Sequence, residues 1–413
     1  MFVKTFPRIL KDEVWSKVLT LGMILFLILL ADAILSFWVP NFIQDSLQSS
    51  FLMGLVISFS SVVGFGADLI FPQILRGFTV KRLILLGILS SFLFSAILLG
   101  ATAAPYLVIF LLAMAVWGIY YELLGFGEQQ FVADSTPLRL HSAAWGVMSI
   151  FRSLAYFLGP IIGGLLLARG DRTPAYFAIL FTFLGLVFLM LAREKHKRPI
   201  EIDVHEVNLI RELAHWKVLF SHVWPIVIMS IFMGLVDATF WTTGAVWSHT
   251  LSERSWWGGM FLPLYTLPSL FVGFVVAKWQ VFEGKKRLAE KFLFFSGIFL
   301  AMLGLTDAIF FQLLFVFVSS TLLAVSFPLT DGVYSDIVAR MGRERRHLIG
   351  LSRSTISIAY IIGPAWAGFI ASTIGERLTF SAVGITVVVV SAVLLLTTPK
   401  KLKLPQEEIK KWE

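Results

Sequence analysis

The chain has 413 residues, 57% of them hydrophobic and only 15% charged, with a mean hydropathy of +0.83. A soluble domain carries about 25% charged residues, and the complete lack of Cys excludes a disulfide scaffold and thiol-ligated metal or iron–sulfur centres. A disordered chain is excluded as well. A spanning helix needs about 20 mostly apolar residues, so twelve need about 240; the composition fits an integral membrane protein and disfavours a water-soluble enzyme.

In chain order, apolar segments lie near 18–39, 50–75, 82–101, 105–127, 143–168, 174–192, 219–247, 257–277, 289–306, 309–333, 348–373 and 378–397. The first is longer than the h-region of a signal peptide and no small-residue cleavage site follows it, so it is expected to remain as the first span. The charge of +8 does not point to nucleic acid, because 28 of the 34 basic residues fall in alternate connections. These are the N-terminus, the 76–82 turn, Arg139, the 193–217 linker, the 278–291 and 340–346 loops and the tail from Lys400. Positive connections mark the cytoplasmic face, which places both termini inside, in a cell (inner) membrane, without a nucleic-acid partner.

The sequence repeats itself. Leu30-Ala31-Asp32-Ala33 returns as Leu235-Val236-Asp237-Ala238, and Lys81-Arg82-Leu83 as Lys286-Arg287-Leu288, both at an offset of 205. Gly146, Ala155-Tyr156 and Gly159-Pro160 return as Gly350, Ala359-Tyr360 and Gly363-Pro364 at 204. Two copies of a six-helix unit follow, related by an axis along the membrane normal because six is even. The expected organisation is an N-terminal bundle over 1–192, a cytoplasmic linker over 193–217, a C-terminal bundle over 218–399 and a tail over 400–413. Ile202, Val207, Ile210 and Leu213 have helical spacing within the linker. His196, His205 and His215 there lack metal-ligand spacing, and neither a metal nor a cofactor is expected.

The fifth span carries Gly146, Ala155, Gly159-Pro160 and Gly163-Gly164, small residues at intervals that let another helix approach closely, with a proline that permits a bend. With Ala155 in place of one Gly, this resembles the antiporter motif of the major facilitator superfamily, a resemblance that twelve spans and a basic central loop extend over the whole chain. It implies an all-α membrane fold of two pseudo-symmetric six-helix bundles. Other family patterns are partial. Arg76-Gly77 and Lys81-Arg82 match the basic loop between the second and third spans, with Asp68 eight residues upstream, about 12 Å along a helix. Together with Lys286 and Arg287 they are the expected gating-loop residues. In the fourth span Tyr121 stands where the family pattern has Arg, ahead of Gly125 and Gly127.

An acid at the centre of a spanning helix costs about 2.5–3.5 kcal/mol, so each should face protein or a water-filled cavity. Asp32 and Asp237 lie mid-span at equivalent positions, and the resemblance implies that the first, fourth, seventh and tenth spans line a central cavity. The fourth offers Glu122 and Tyr121, the tenth Asp331, and Trp38 and Trp241 follow the two leading acids as aromatic walls. Arg152 in the fifth span is a candidate partner for these acids; Glu128 and Asp336, nearer the inner surface, are expected in solvated or gating contacts. No Gly-x-x-x-x-Gly-Lys-Ser/Thr loop and no nucleophile–base spacing occurs. The expected activity is transport of a small solute by alternating access, as a monomer, with proton-coupled export of an amphipathic or cationic solute ahead of symport or uniport of a sugar or metabolite. A non-transporting sensor or assembly protein is the alternative from another class.

Overall fold

The computed structural model describes residues 13–75, 78–137, 140–192, 209–279, 284–338, 340–341 and 345–399, and among them all regular structure is helical. Lipid offers no hydrogen-bond partner to the backbone, so a chain this apolar satisfies its N–H and C=O groups within helices. Six helices come first: α1 Glu13–Leu47, α2 Ser50–Ile74, α3 Val80–Ala101, α4 Leu107–Ser135, α5 His141–Leu167 and α6 Thr173–Leu191. Then follow α7 Leu209–Trp241, α8 Thr243–Arg254, α9 Phe261–Thr266, α10 Ser269–Trp279, α11 Lys285–Ala301, α12 Ile309–Val338, α13 Arg345–Ile374 and α14 Glu376–Thr397. Arg76, Gly77, Arg139, His196, His205 and the tail from Lys400 lie outside the described residues.

Eleven helical stretches among the described residues are long and apolar enough to cross a membrane. The expected span over 257–277 is not one of them, because it is interrupted at Leu267-Pro268 between α9 and α10. Proline lacks the N–H that would bond the carbonyl of Leu264, and the Ser320 hydroxyl donates to that carbonyl instead, at 3.2 Å. The seventh span is interrupted too: Thr242 leaves the helical region (φ −111°, ψ −87°) between α7 and α8. Its hydroxyl donates to the Ala238 carbonyl at 2.7 Å, so the interruption leaves that side chain satisfied.

The described residues divide into two compact units, one drawn from 1–48 and 62–203, the other from 49–61 and 204–413. In the first, α1 packs on α5 and α6, and α3 on α4 and α6. In the second, α7 packs on α13, and α11 on α12 and α14. The partner choice therefore repeats with the sequence. Residues 50–61 of α2 pack on α13 within the second unit. A Cβ on Gly54 would come 2.1 Å from the Pro364 carbonyl oxygen, and one on Gly368 2.3 Å from that of Ser50. Ser58 Oγ accepts the Ala365 N–H at 3.1 Å just past Pro364. Glycine on both sides is what lets these backbones touch.

Candidate functional site

Asp32 sits midway along α1 and is 2% exposed. Its Oδ1 accepts the Trp117 indole N–H at 2.7 Å, and its Oδ2 accepts the Tyr121 and Tyr156 hydroxyls at 2.9 and 2.8 Å. Trp117 and Tyr121 are four residues apart on α4 and so share a face, while Tyr156 comes from α5. The close approach of α1 and α5 delivers Tyr156. At Gly159, one turn further along α5, an added Cβ would stand 2.2 Å from the Ala33 Cβ.

The second unit repeats this arrangement. Asp237 accepts the Tyr265 hydroxyl on Oδ1 and the Tyr360 hydroxyl on Oδ2, and Trp241 hydrogen-bonds it from its own helix. Gly363 lies against Ala238, where a Cβ would be 2.8 Å from the Ala238 Cβ. Tyr156 and Tyr360 are repeat-related, as are Gly159 and Gly363 and the two acids. Each copy thus ties its acid to a tyrosine carried on the small-residue seam. The remaining donors differ: α4 supplies them in the first unit, α9 and α7 itself in the second. Burial and hydrogen-bond donation act in opposite senses on a carboxyl group. A caged acid of this kind can change protonation state when its access to water changes.

The other sequence candidates fall in several places. Tyr121 is 37% exposed, so one face of the Asp32 cage is open. Glu122 is half-buried and its Oε1 would lie 3.2 Å from a Cβ on Gly64 of α2. Asp331 is exposed on α12. Trp38, expected as an aromatic wall, is buried in the first unit and stacks on Phe42 at 4.9 Å; Trp241 is half-buried beside Asp237. Arg152, expected beside an acid, forms its ion pair with Glu128. Glu128, expected in a solvated contact, is 2% exposed. Asp336 pairs with Lys285 at 2.8 Å. Within the motif of α5, Gly159 and Gly163 face α1, whereas a Cβ on Gly164 would meet only Phe37 at 3.8 Å and one on Gly146 nothing within 4 Å. Pro160 lies inside α5.

Of the gating-loop candidates, Lys81 lines a cavity of about 500 Å³ in the first unit with Leu21, Ile24, Phe131, Asp134 and Phe188; neither caged acid borders it. Arg82 is exposed, and its backbone N–H is capped by Thr79 Oγ1 at 3.4 Å. Lys286 and Arg287 tie α11 to the end of α14. Lys286 bonds Glu290 and Thr398 Oγ1, both at 2.5 Å, and Arg287 donates to the carbonyls of Leu395 and Thr398. Glu290 is fully buried. Removing one partner of a buried pair costs about 3–5 kcal/mol. Arg287 also lies 3.5 Å from Glu290, so Lys286→Met is expected to lower the melting temperature of the solubilised protein by less than loss of a sole partner would, and Lys286→Met with Glu290→Leu to restore most of it.

Sequence reasoning missed Trp117, Tyr156, Tyr265 and Tyr360 as partners of the acids. For Trp117 the spacing of four from Tyr121 was the available signal; for Tyr156 and Tyr360 it was their place in the repeat.

A family model described as the Major Facilitator Superfamily matches residues 21–342. The chain belongs to that superfamily. Among curated relatives, Multidrug resistance protein 1 of Bacillus subtilis (strain 168) is 31% identical over 124 residues, a stretch covering 29% of this chain and 30% of that protein. Quinolone resistance protein NorA of Staphylococcus aureus (strain MSSA476) is 21% identical over 298 residues, 70% of this chain and 73% of that one. Similar solved structures include a peptide transporter POT in complex with sulfate, with a TM-score of 0.71 at 14% identity, covering 92% of this chain and 93% of that chain. A bacterial homologue of the human lysosomal transporter Spinster, in an inward-facing and unoccupied conformation, has a TM-score of 0.68 at 12% identity over 94% of this chain and 97% of that chain. The protein is a multi-pass membrane protein with the all-α superfamily fold, and a transporter by family.

Proposed function

We propose that this transporter is a proton-coupled exporter of small amphipathic or cationic solutes, working by alternating access. The observation that carries the proposal is the pair of caged acids. Asp32 and Asp237 occupy equivalent positions, Asp32 buried and Asp237 half-buried, and each is bonded to a tyrosine from the seam that bears the antiporter-like motif. An ionisable residue inside a spanning helix is read first as part of an ion or proton path. The relatives named for multidrug and quinolone resistance support export and an amphipathic cargo. Energy comes from the proton gradient, and both termini sit on the cytoplasmic side, where the basic connections lie.

The direct test is flux in proteoliposomes holding the purified protein, with a fluorescent quinolone as probe. Imposing a pH gradient should drive quinolone opposite to the proton flow, and an uncoupler should abolish the movement. Movement in the same direction as protons would replace export by symport. Exchange that ignores the pH gradient would remove the proton from the mechanism.

A further inference from the structure

The two copies treat the lysine of their Lys-Arg pair differently. In the second unit Lys286, 3% exposed, is tied within the protein. Glu290 stands one turn later on α11, and Thr398 closes the same site from the end of α14. In the first unit the residue one turn after Lys81 is Leu85, so α3 brings no carboxylate to its lysine. Among the described residues none forms an ion pair with Lys81. Instead Lys81 lines the cavity of about 500 Å³, which the end of α6 borders at Leu191 and Ala192. The second copy has a tie between these helix ends; the first has space between them.

The lining says what would fill it. Leu21 and Ile24 of α1, Ile84 of α3 and Phe131 of α4 form apolar walls, and such walls hold water poorly. Asp134, the carboxylate among the lining residues, is exposed, so water screens it. Lys17 also lines the cavity and bonds Glu13 at 3.1 Å, a weak surface pair. Lys81 is half-buried, and an ammonium set among apolar walls is most stable with an anion beside it. A ligand with both an anionic group and a hydrocarbon chain satisfies the lysine and the walls together. The volume is within the range of about 300–1,000 Å³ that ligand cavities occupy.

A soluble anion would meet only half of that requirement, and the surroundings favour a lipid. Phe188 and Leu191 of α6 line the cavity and are 45% and 73% exposed. Large apolar side chains exposed on a spanning helix are covered by lipid, so the cavity continues into a surface that hydrocarbon reaches. It also lies where α1 and α3 begin and α4 and α6 end, beside the basic N-terminus, 76–82 turn and linker. Anionic headgroups concentrate at basic pockets of this kind on the cytoplasmic leaflet.

We infer that this cavity is a binding site for a membrane lipid with an anionic headgroup, its phosphate at Lys81 and one acyl chain between α1, α3, α4 and α6. The lipid supplies from outside the counter-charge that Glu290 supplies within the second unit. This goes beyond the function proposed above and does not depend on proton coupling.

Thermal unfolding of the delipidated full-length protein in detergent, titrated with lipid, tests the site. A ligand that binds the folded state raises the melting temperature by mass action. Phosphatidylglycerol should act at concentrations about fivefold or more below those that phosphatidylcholine with the same chains requires, the factor one lysine near a headgroup contributes. Lys81→Gln should erase that preference. Thr20→Trp, which fills the cavity from an exposed position, should abolish the phosphatidylglycerol shift. Arg82→Gln, exposed and outside the lining, should retain it. Lipid-free melting curves report folding separately, and the first two variants alter different groups, so either suffices if the other misfolds. Equal action of the two lipids, or a preference that Arg82→Gln erases as fully as Lys81→Gln, overturns the site in favour of a diffuse basic rim. A shift with inorganic phosphate equal to that with phosphatidylglycerol assigns the cavity to a soluble anion and overturns the lipid. Survival of the phosphatidylglycerol shift in Thr20→Trp places the acyl chain elsewhere and overturns it too.

Discussion

Asp32→Asn and Asp237→Asn, each made alone, are expected to abolish pH-driven solute movement in proteoliposomes, down to the level of protein-free vesicles, while the protein still folds. The cages explain why these two outcomes should separate. Asparagine keeps the shape of aspartate and one acceptor oxygen, which in α1 suffices for the Trp117 indole. Tyr121 and Tyr156 then meet an amide nitrogen, but a hydroxyl can rotate to accept as readily as it donates. The lost charge-assisted bonds and the relieved cost of burying a charge oppose each other, leaving a net change within about 2 kcal/mol. What asparagine cannot do is bind and release a proton. Flux and melting temperature falling together would point to a packing role for the acids. Normal pH-driven flux in both variants would show that neither carries the proton.

The second large effect concerns the motif on α5, whose glycines should behave as two classes. Gly159→Val would drive its Cβ into Ala33, whose Cβ lies 2.2 Å and carbonyl carbon 2.8 Å from the ideal position. Helix α1 or α5 must then shift, and Tyr156 is carried away from Asp32. Overpacking of this kind costs about 1–3 kcal/mol even in side-chain cores, and here the obstacle includes backbone. Gly159→Val should therefore both lower the melting temperature and abolish flux, with Gly363→Val, against Ala238, close behind. Gly146→Ala and Gly164→Ala should be nearly silent in both assays, because nothing within 3.4 Å meets the new methyl group. Equal sensitivity at all four positions would break the link between this seam and the acid.

Much of the architecture was legible before any coordinates. Hydropathy marks the helices because lipid leaves the backbone no other choice, and the offsets of 204 and 205 identify Asp32 with Asp237 and Gly159 with Gly363. The pairing of side chains across helices was less legible. A period of 3.6 tells which residues share a face, not which foreign face they meet, so Arg152 was expected beside an acid of the cavity and instead meets Glu128. Glu128 itself lies close enough to a helix end to suggest solvation, yet it is 2% exposed and paired with Arg152 of α5. The interruption at Leu267-Pro268 was signalled by its proline. An apolar run of ordinary length masked it, because hydropathy does not register a missing N–H.

That interruption has a consequence for how the duplicated copies have diverged. Asp32 and its donors ride on α1, α4 and α5, which run as unbroken helices through the cage; Pro160 withholds one N–H from the Tyr156 carbonyl, but Pro364 does the same to Tyr360, so that loss is common to both copies. Asp237 lies five residues before the gap at Thr242, and its donor Tyr265 two before that at Leu267. A helix with missing rungs bends at lower energy than a whole one, so the duplicates now differ in compliance: one holds its carboxyl in a stiff frame, the other in a frame that can yield. Amide deuterium uptake would register this as faster labelling around 238–243 and 264–268 than around 33–38. Ancestral symmetry has given way to a division between anchor and spring.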